Sequence, residues 1–165
     1  MRQILNLPEY NFIDRKDKDF IIAFNDAIRE LRYESGDNIS SGYCWGRYMI
    51  IYAKTGVKSK QVAARIYIRD SEIILRLFFS KIDKHRAYLE NAPEYIKLPF
   101  SDEHGTCRHC KNEHAGVCKF RKTYTLANRL MEKCNGVVFE FRKPDLTKLP
   151  GYMSLLREFY LSGKM

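Results

Sequence analysis

A chain of 165 residues that is 45 % hydrophobic and 30 % charged, with nine glycines and five prolines, is neither of low complexity nor disordered and has the size of one ordinary domain. Folding of that length buries roughly 70 % of the surface exposed in the unfolded chain, so no staple is needed to hold the whole fold. The net charge of +9 and pI of about 9.3 raise nucleic acid or another anion as a partner, while no apolar run approaches the roughly 20 residues of a membrane span.

Met1–Phe12 lacks a basic start followed by a sustained apolar stretch, so it does not read as a secretory signal. The expectation is a soluble cytoplasmic protein with reduced thiols and no membrane partner. From Asp19 to Glu34, Phe20, Ile21, Phe24, Ala27, Ile28 and Leu31 recur at helical spacing. The run ends at Ser35-Gly36-Asp37-Asn38. Arg47–Lys54 then reads as a strand rich in Tyr and Ile, and Val62–Arg69 alternates Ala64, Ile66 and Ile68 against Arg65, Tyr67 and Arg69. A tight turn at Asp70-Ser71 leads into Glu72–Phe79, where Ile73, Leu75, Leu77 and Phe79 form an inward set. Three strands in succession imply an antiparallel meander.

Ser80-Lys81-Ile82-Asp83 matches a capping box opening a short helix that Pro93 closes. A loop is expected from Pro99 to Gly116. Lys122–Leu126 and Leu130–Cys134 flank Ala127-Asn128-Arg129 as a hairpin, Asn135-Gly136 offers a second turn, and Val137, Phe139 and Phe141 supply another strand. A last helix starts at about Pro150, with Tyr152, Leu155, Leu156 and Phe159 on one face. The expected fold class is α+β: a single antiparallel sheet, meander plus C-terminal hairpin strands, packed by two or three helices. It forms one domain over residues 1–165, with a Cys-rich metal-binding loop and lobe at about 100–135.

That lobe carries the chemistry. Cys107 and Cys110 form a C-x2-C pair, followed by Cys118 and Cys134. Zinc takes four tetrahedral ligands, and a C-x2-C turn supplies two thiolates from one loop. Cys118 and Cys134 would arrive singly, pinning loop and hairpin together. Any of His104, His109 and His114 would serve in place of one sulfur, and an iron-sulfur cluster accepts the same four thiolates. Four cysteines leave no open position, so a structural site is favoured over a catalytic one. A dithiol-redox role is weakened because Cys107-Arg108-His109-Cys110 does not sit between a strand and a helix. Cys44, in Gly42-Tyr43-Cys44-Trp45-Gly46, reads as a small buried core residue.

Cys107, Cys110, Cys118, the stretch Lys122-Thr123-Tyr124-Thr125-Leu126, Cys134 and the aromatic strand Phe139 to Pro144 together resemble a family of small bacterial proteins designated a domain of unknown function. Its members carry a C-x2-C pair, a further cysteine, a Thr-rich hairpin, another cysteine, and an aromatic strand ending in Pro. The resemblance spans about Cys107 to Tyr160 and brings no established activity with it.

Four thiolates and one zinc dication would lower the net charge by two, from +9 to +7. Arg121, Lys122 and Arg129 are the candidate nucleic-acid or anion contacts beside the cluster, although basic residues there also balance the site's own negative charge. No helix-turn-helix, RNP-like signature or continuous basic helix accompanies them. Phosphate-loop, dinucleotide-binding, zinc-protease and nucleophile-elbow motifs are all missing. Asp102-Glu103-His104 reads as a solvated loop and His85 as a surface histidine. Tyr43, Trp45, Tyr48 and Tyr52 would line an apolar pocket or fill the core. The leading expectation is a non-catalytic binding or sensing protein for a small molecule or protein ligand, with one structural zinc per chain. The alternatives are a nucleic-acid binder and a metal- or thiol-dependent enzyme.

Overall fold

The computed structural model describes residues 1–101, 121–134 and 138–161. They belong to two compact units, one made of Met1–Phe78 with Glu140–Met165, the other of Phe79–Phe139. The first is a sheet covered by helices; the second is a helical pair with a hairpin.

In the first unit, the amphipathic segment becomes α2 (Arg15–Ile28), which starts four residues earlier than its periodicity suggests and ends in a single 3-10 turn, Arg29–Leu31. A short helix α1 (Arg2–Leu5) precedes it. The meander forms as β3 (Tyr48–Lys54), β4 (Val62–Ile68) and β5 (Ile73–Phe78), paired antiparallel with Ile50 opposite Ile66 and Ile66 opposite Leu75. Two short strands, β1 (Tyr33–Glu34) and β2 (Ser40–Ser41), both pair with β3, and β8 (Val138–Arg142) neighbours β5. The last helix, α5, runs Leu149–Leu161.

Strand alternation gives the sheet two unlike faces. Ile50, Tyr52, Ala64, Ile66, Leu75 and Leu77 are fully buried under α2 and α5, where Phe24 meets Tyr52 edge-on at 5.2 Å and Phe20 meets Tyr152 at 6.2 Å. Tyr152 closes the group against Phe141 at 5.1 Å. On the opposite face Met49, Tyr67 and Ile74 form a separate small cluster with Ile51 packed on it. Those three are direct register partners across β3, β4 and β5.

In the second unit, the Ser80–Asp83 capping box does not form. Lys81 occupies the cap position in a left-handed conformation with no side-chain cap bond, ahead of a 3-10 turn over Ile82–His85 and α3 (Arg86–Asn91). Asp83 instead accepts the backbone N–H of Thr125 at 2.8 Å. The loop expected from Pro99 is also corrected, because α4 spans Glu94–Ser101 with Pro99 inside it. The hairpin is β6 (Arg121–Leu126) and β7 (Arg129–Cys134), joined by Ala127 and Asn128, both with positive φ. That is the two-residue turn whose twist matches paired strands.

The hairpin does not extend the main sheet as expected; it is a separate two-stranded sheet. Side chains of the preceding helical turn take the polar groups near its tip: Arg86 donates to Thr125 O at 3.1 Å and Glu90 accepts the Ala127 N–H at 3.0 Å. Its buried side rests on aromatic rings, with Phe100 stacked on Phe139 at 4.0 Å and Tyr124 6.3 Å from Phe139. The Tyr124 hydroxyl donates to Phe100 O, and burial pushes its phenol well above the ordinary range.

Candidate functional site

Of the four cysteines expected to bind metal, Cys134 is described; Cys107, Cys110 and Cys118 lie outside the described residues, as do His104, His109, His114, Asp102 and Glu103. Cys134 is the last residue of β7, half-buried, and directly opposite Arg121, the first residue of β6. It therefore stands at the open end of the hairpin. Among the described residues, no group of three or more His, Cys, Asp or Glu side chains is arranged to hold a metal ion.

The hairpin register sorts the three basic candidates. Arg121 lies on the strand side of Thr123, Thr125, Glu132 and Cys134, whereas Lys122 and Arg129 lie on the side of Tyr124, Leu126 and Met131. Arg121 pairs with Glu132 at 3.4 Å. Lys122 faces Lys133, whose ammonium sits 4.6 Å from the Phe139 ring and donates to Pro99 O at 2.9 Å. The three cations do not share one strand face.

Cys44 is exposed, not buried. The loop Gly42–Gly46 turns back on itself so tightly that a Cβ at Gly42 would lie 2.3 Å from Gly46 O. A Cβ at Gly46 would lie 2.8 Å from Ile68 O, so only glycine lets this loop press onto the end of β4. The turn aims Tyr43 and Cys44 outward and leaves Trp45 44 % exposed. The four aromatics near the first strand thus separate. Tyr52 is in the core, Tyr48 packs on Tyr10 and Phe12, Tyr43 is in solvent, and Trp45 lies over the second sheet face.

That second face holds a polar network that the composition does not announce. Arg65 and Arg76 are register partners on β4 and β5. Arg76, almost fully buried, donates from Nε and Nη2 to one oxygen of Glu140, at 2.9 and 2.7 Å, while Arg142 takes the other oxygen at 3.2 Å. The Arg76 guanidinium lies 3.7 Å from the Trp45 ring centre and 5.1 Å from that of Tyr67. Arg65 lies over Phe78 at 5.2 Å and donates from Nη1 to the Tyr67 hydroxyl at 3.3 Å, but its buried Nε has no acceptor among the described residues. Arg69 secures the loop by donating from Nε to Trp45 O at 2.8 Å.

Beside this network, the sheet edge is interrupted. β1 and β2 pair with opposite ends of β3, and residues 35–39 depart from the edge between them. A cavity of about 320 Å³ opens there, lined by Glu34, Ser40, Thr55 and Lys60 over a floor of Ile51 and Ala53.

Compared with family models, curated proteins and solved structures, the chain has no significant match. Among the described residues, no helix is long and apolar enough to cross a membrane.

The sequence signal for the Arg65–Arg76 pair lay in the turn. Two residues at Asp70-Ser71 set Arg69 against Glu72, and counting outward sets Arg65 against Arg76. Glu140 had no such local signal, since it approaches from a strand 64 residues away.

Proposed function

We propose that this chain is a non-catalytic binding protein whose second unit is pinned by one structural zinc on Cys107, Cys110, Cys118 and Cys134. The observation that carries this reading is the β6–β7 register, which sets Cys134 opposite Arg121 at the hairpin's open end. Cys118 precedes Arg121 by three residues, and three residues span at most about 10 Å. Covalent geometry alone therefore limits how far Cys118 can lie from that end. A thiolate arriving from a strand end and others from a C-x2-C loop form a donor set suited to zinc. Arg121 beside Cys134 supplies a positive charge of the kind that offsets a four-thiolate centre.

Four protein ligands leave the metal no open position, so its work is to cross-link chain segments and not to activate water. The test is elemental analysis of protein purified anaerobically without added metal, together with Cys118→Ser, Cys134→Ser and Cys44→Ser variants. The expected result is about one zinc per chain, lost in the first two variants and kept in the third. Metal-free protein, or zinc retained by Cys134→Ser, would overturn the reading.

A further inference from the structure

The pairing of Arg65 with Arg76 calls for an explanation, because like charges directly opposite on neighbouring strands repel. On this face Arg69 pairs with Glu72, while the guanidinium groups of Arg76 and Arg142 both turn to the carboxylate of Glu140. Arg76 and Arg142 divide its two oxygens. Among the described residues Arg65 has no ion-pair partner: it donates to the Tyr67 hydroxyl, and its Nε, shielded from solvent, has no acceptor. A guanidinium carries five N–H donors in a rigid fork matched to phosphate and carboxylate oxygens. Leaving the buried Nε of that fork without an acceptor costs stability, so the arrangement makes sense as a site prepared for an anion.

The surroundings narrow the class of anion. Arg65 touches one end of the Tyr67 side chain through the hydroxyl, and the Trp45 ring lies 6.4 Å from the Tyr67 ring. One tyrosine thus separates an under-used guanidinium from a half-exposed indole. Trp45 is held at its ring by Arg76, at its backbone carbonyl by Arg69, and by a loop that only glycines permit. A fixed aromatic plane next to a fork for oxyanions is the chemistry that binds a base and its phosphate together.

We infer that the face formed by Arg65, Tyr67, Arg76 and Trp45 binds a nucleotide, its phosphate on Arg65 and its base on the exposed side of Trp45. The nucleotide arrives either free or as one residue of a single strand. This site belongs to the first unit and shares no residue with the cysteine cluster, so it stands or falls independently of the zinc.

Trp45 is the sole tryptophan of the chain, so selectively excited tryptophan fluorescence reports on this face alone. The experiment titrates the full chain with adenosine monophosphate and, separately, with a labelled single-stranded oligonucleotide of about 12 nucleotides. Arg65→Gln, Arg65→Lys and Arg15→Gln are measured in parallel. Arg15 is an exposed arginine on α2 and controls for net charge. The expected outcome is saturable quenching of Trp45, weakened at least about tenfold by Arg65→Gln, less by Arg65→Lys, and not by Arg15→Gln. Quenching by the mononucleotide identifies a free nucleotide as ligand; quenching by the oligonucleotide alone identifies a strand. Unchanged Trp45 emission with both probes overturns the proposal. So does affinity that Arg65→Gln leaves intact, or that Arg15→Gln lowers equally.

Discussion

Arg76 Nη2 and Glu140 Oε2 lie 2.7 Å apart on the sheet face that carries Trp45, with Arg76 almost fully buried and Glu140 more open. Neutralising the carboxylate leaves a buried cation without its counter-charge, a change more harmful than removing both partners. Glu140→Gln is expected to cost about 2 kcal/mol, read as a shift in the urea midpoint. The double variant Arg76→Met with Glu140→Gln should lose less than the sum of the single variants, as coupled groups do.

The Tyr52 hydroxyl is buried without a hydrogen-bond partner among the described residues, and burial pushes its phenol far above the ordinary range. Tyr52→Phe removes a desolvated polar atom and keeps the ring against Phe24. Stability is expected to stay level or rise by about 1 kcal/mol. Phe24→Ala, which empties the other side of the same contact, should cost about 3–5 kcal/mol. Paired denaturation curves check both.

Ala127 occupies the first turn position of the β6–β7 hairpin at φ 47°, a conformation that costs alanine and not glycine. Ala127→Gly should raise the thermal midpoint, corresponding to about 1 kcal/mol. The Glu90 contact uses the backbone N–H and survives the change.

Asp145 accepts hydrogen bonds from Thr147 N at 2.9 Å and Lys148 N at 3.2 Å just before α5 begins. The Thr147 hydroxyl and Lys148 help hold its carboxyl down to about 2, below its ordinary 3.8. A depressed carboxylate stabilises the fold above the ordinary value, and that contribution fades as pH falls from about 3.8 towards about 2. Asp145→Ala is expected to cost about 1 kcal/mol at neutral pH, as the loss of a hydrogen-bonded side chain does. Its penalty relative to the parent should shrink as pH drops below 4 in thermal melts.

How much of this was legible beforehand depends on the range of the interactions. The meander and the hairpin were readable because period-two alternation and turn residues are local signals, although the turn expected over Ala127-Asn128-Arg129 takes only Ala127 and Asn128, Arg129 pairing with Leu126. α4 was not. Pro93 and Pro99 read as breakers, yet the Pro93 carbonyl accepts the first helical bonds from Ile96 and Lys97, and the helix runs past Pro99 to Ser101 although Pro99 has no N–H to donate. Cys44 was misread because type alone suggests burial, whereas the Gly42 and Gly46 close approaches decide where the turn points. The separate status of the β6–β7 hairpin was hidden for the same reason. Nothing in its own residues says that Asp83, Arg86 and Glu90 will reach its backbone first.

Those three side chains have a further effect. A two-stranded ribbon presents outer rows of amides and carbonyls that recruit strands from other chains, the first step towards domain exchange or fibril growth. Near its tip, the ribbon offers the Thr125 amide and carbonyl of β6 and the Ala127 amide of the turn, and here each is already occupied by a carboxylate or a guanidinium from residues 83–90. The helical turn thus acts as a surrogate neighbour that cannot itself be extended, and it closes this stretch of the ribbon to self-association.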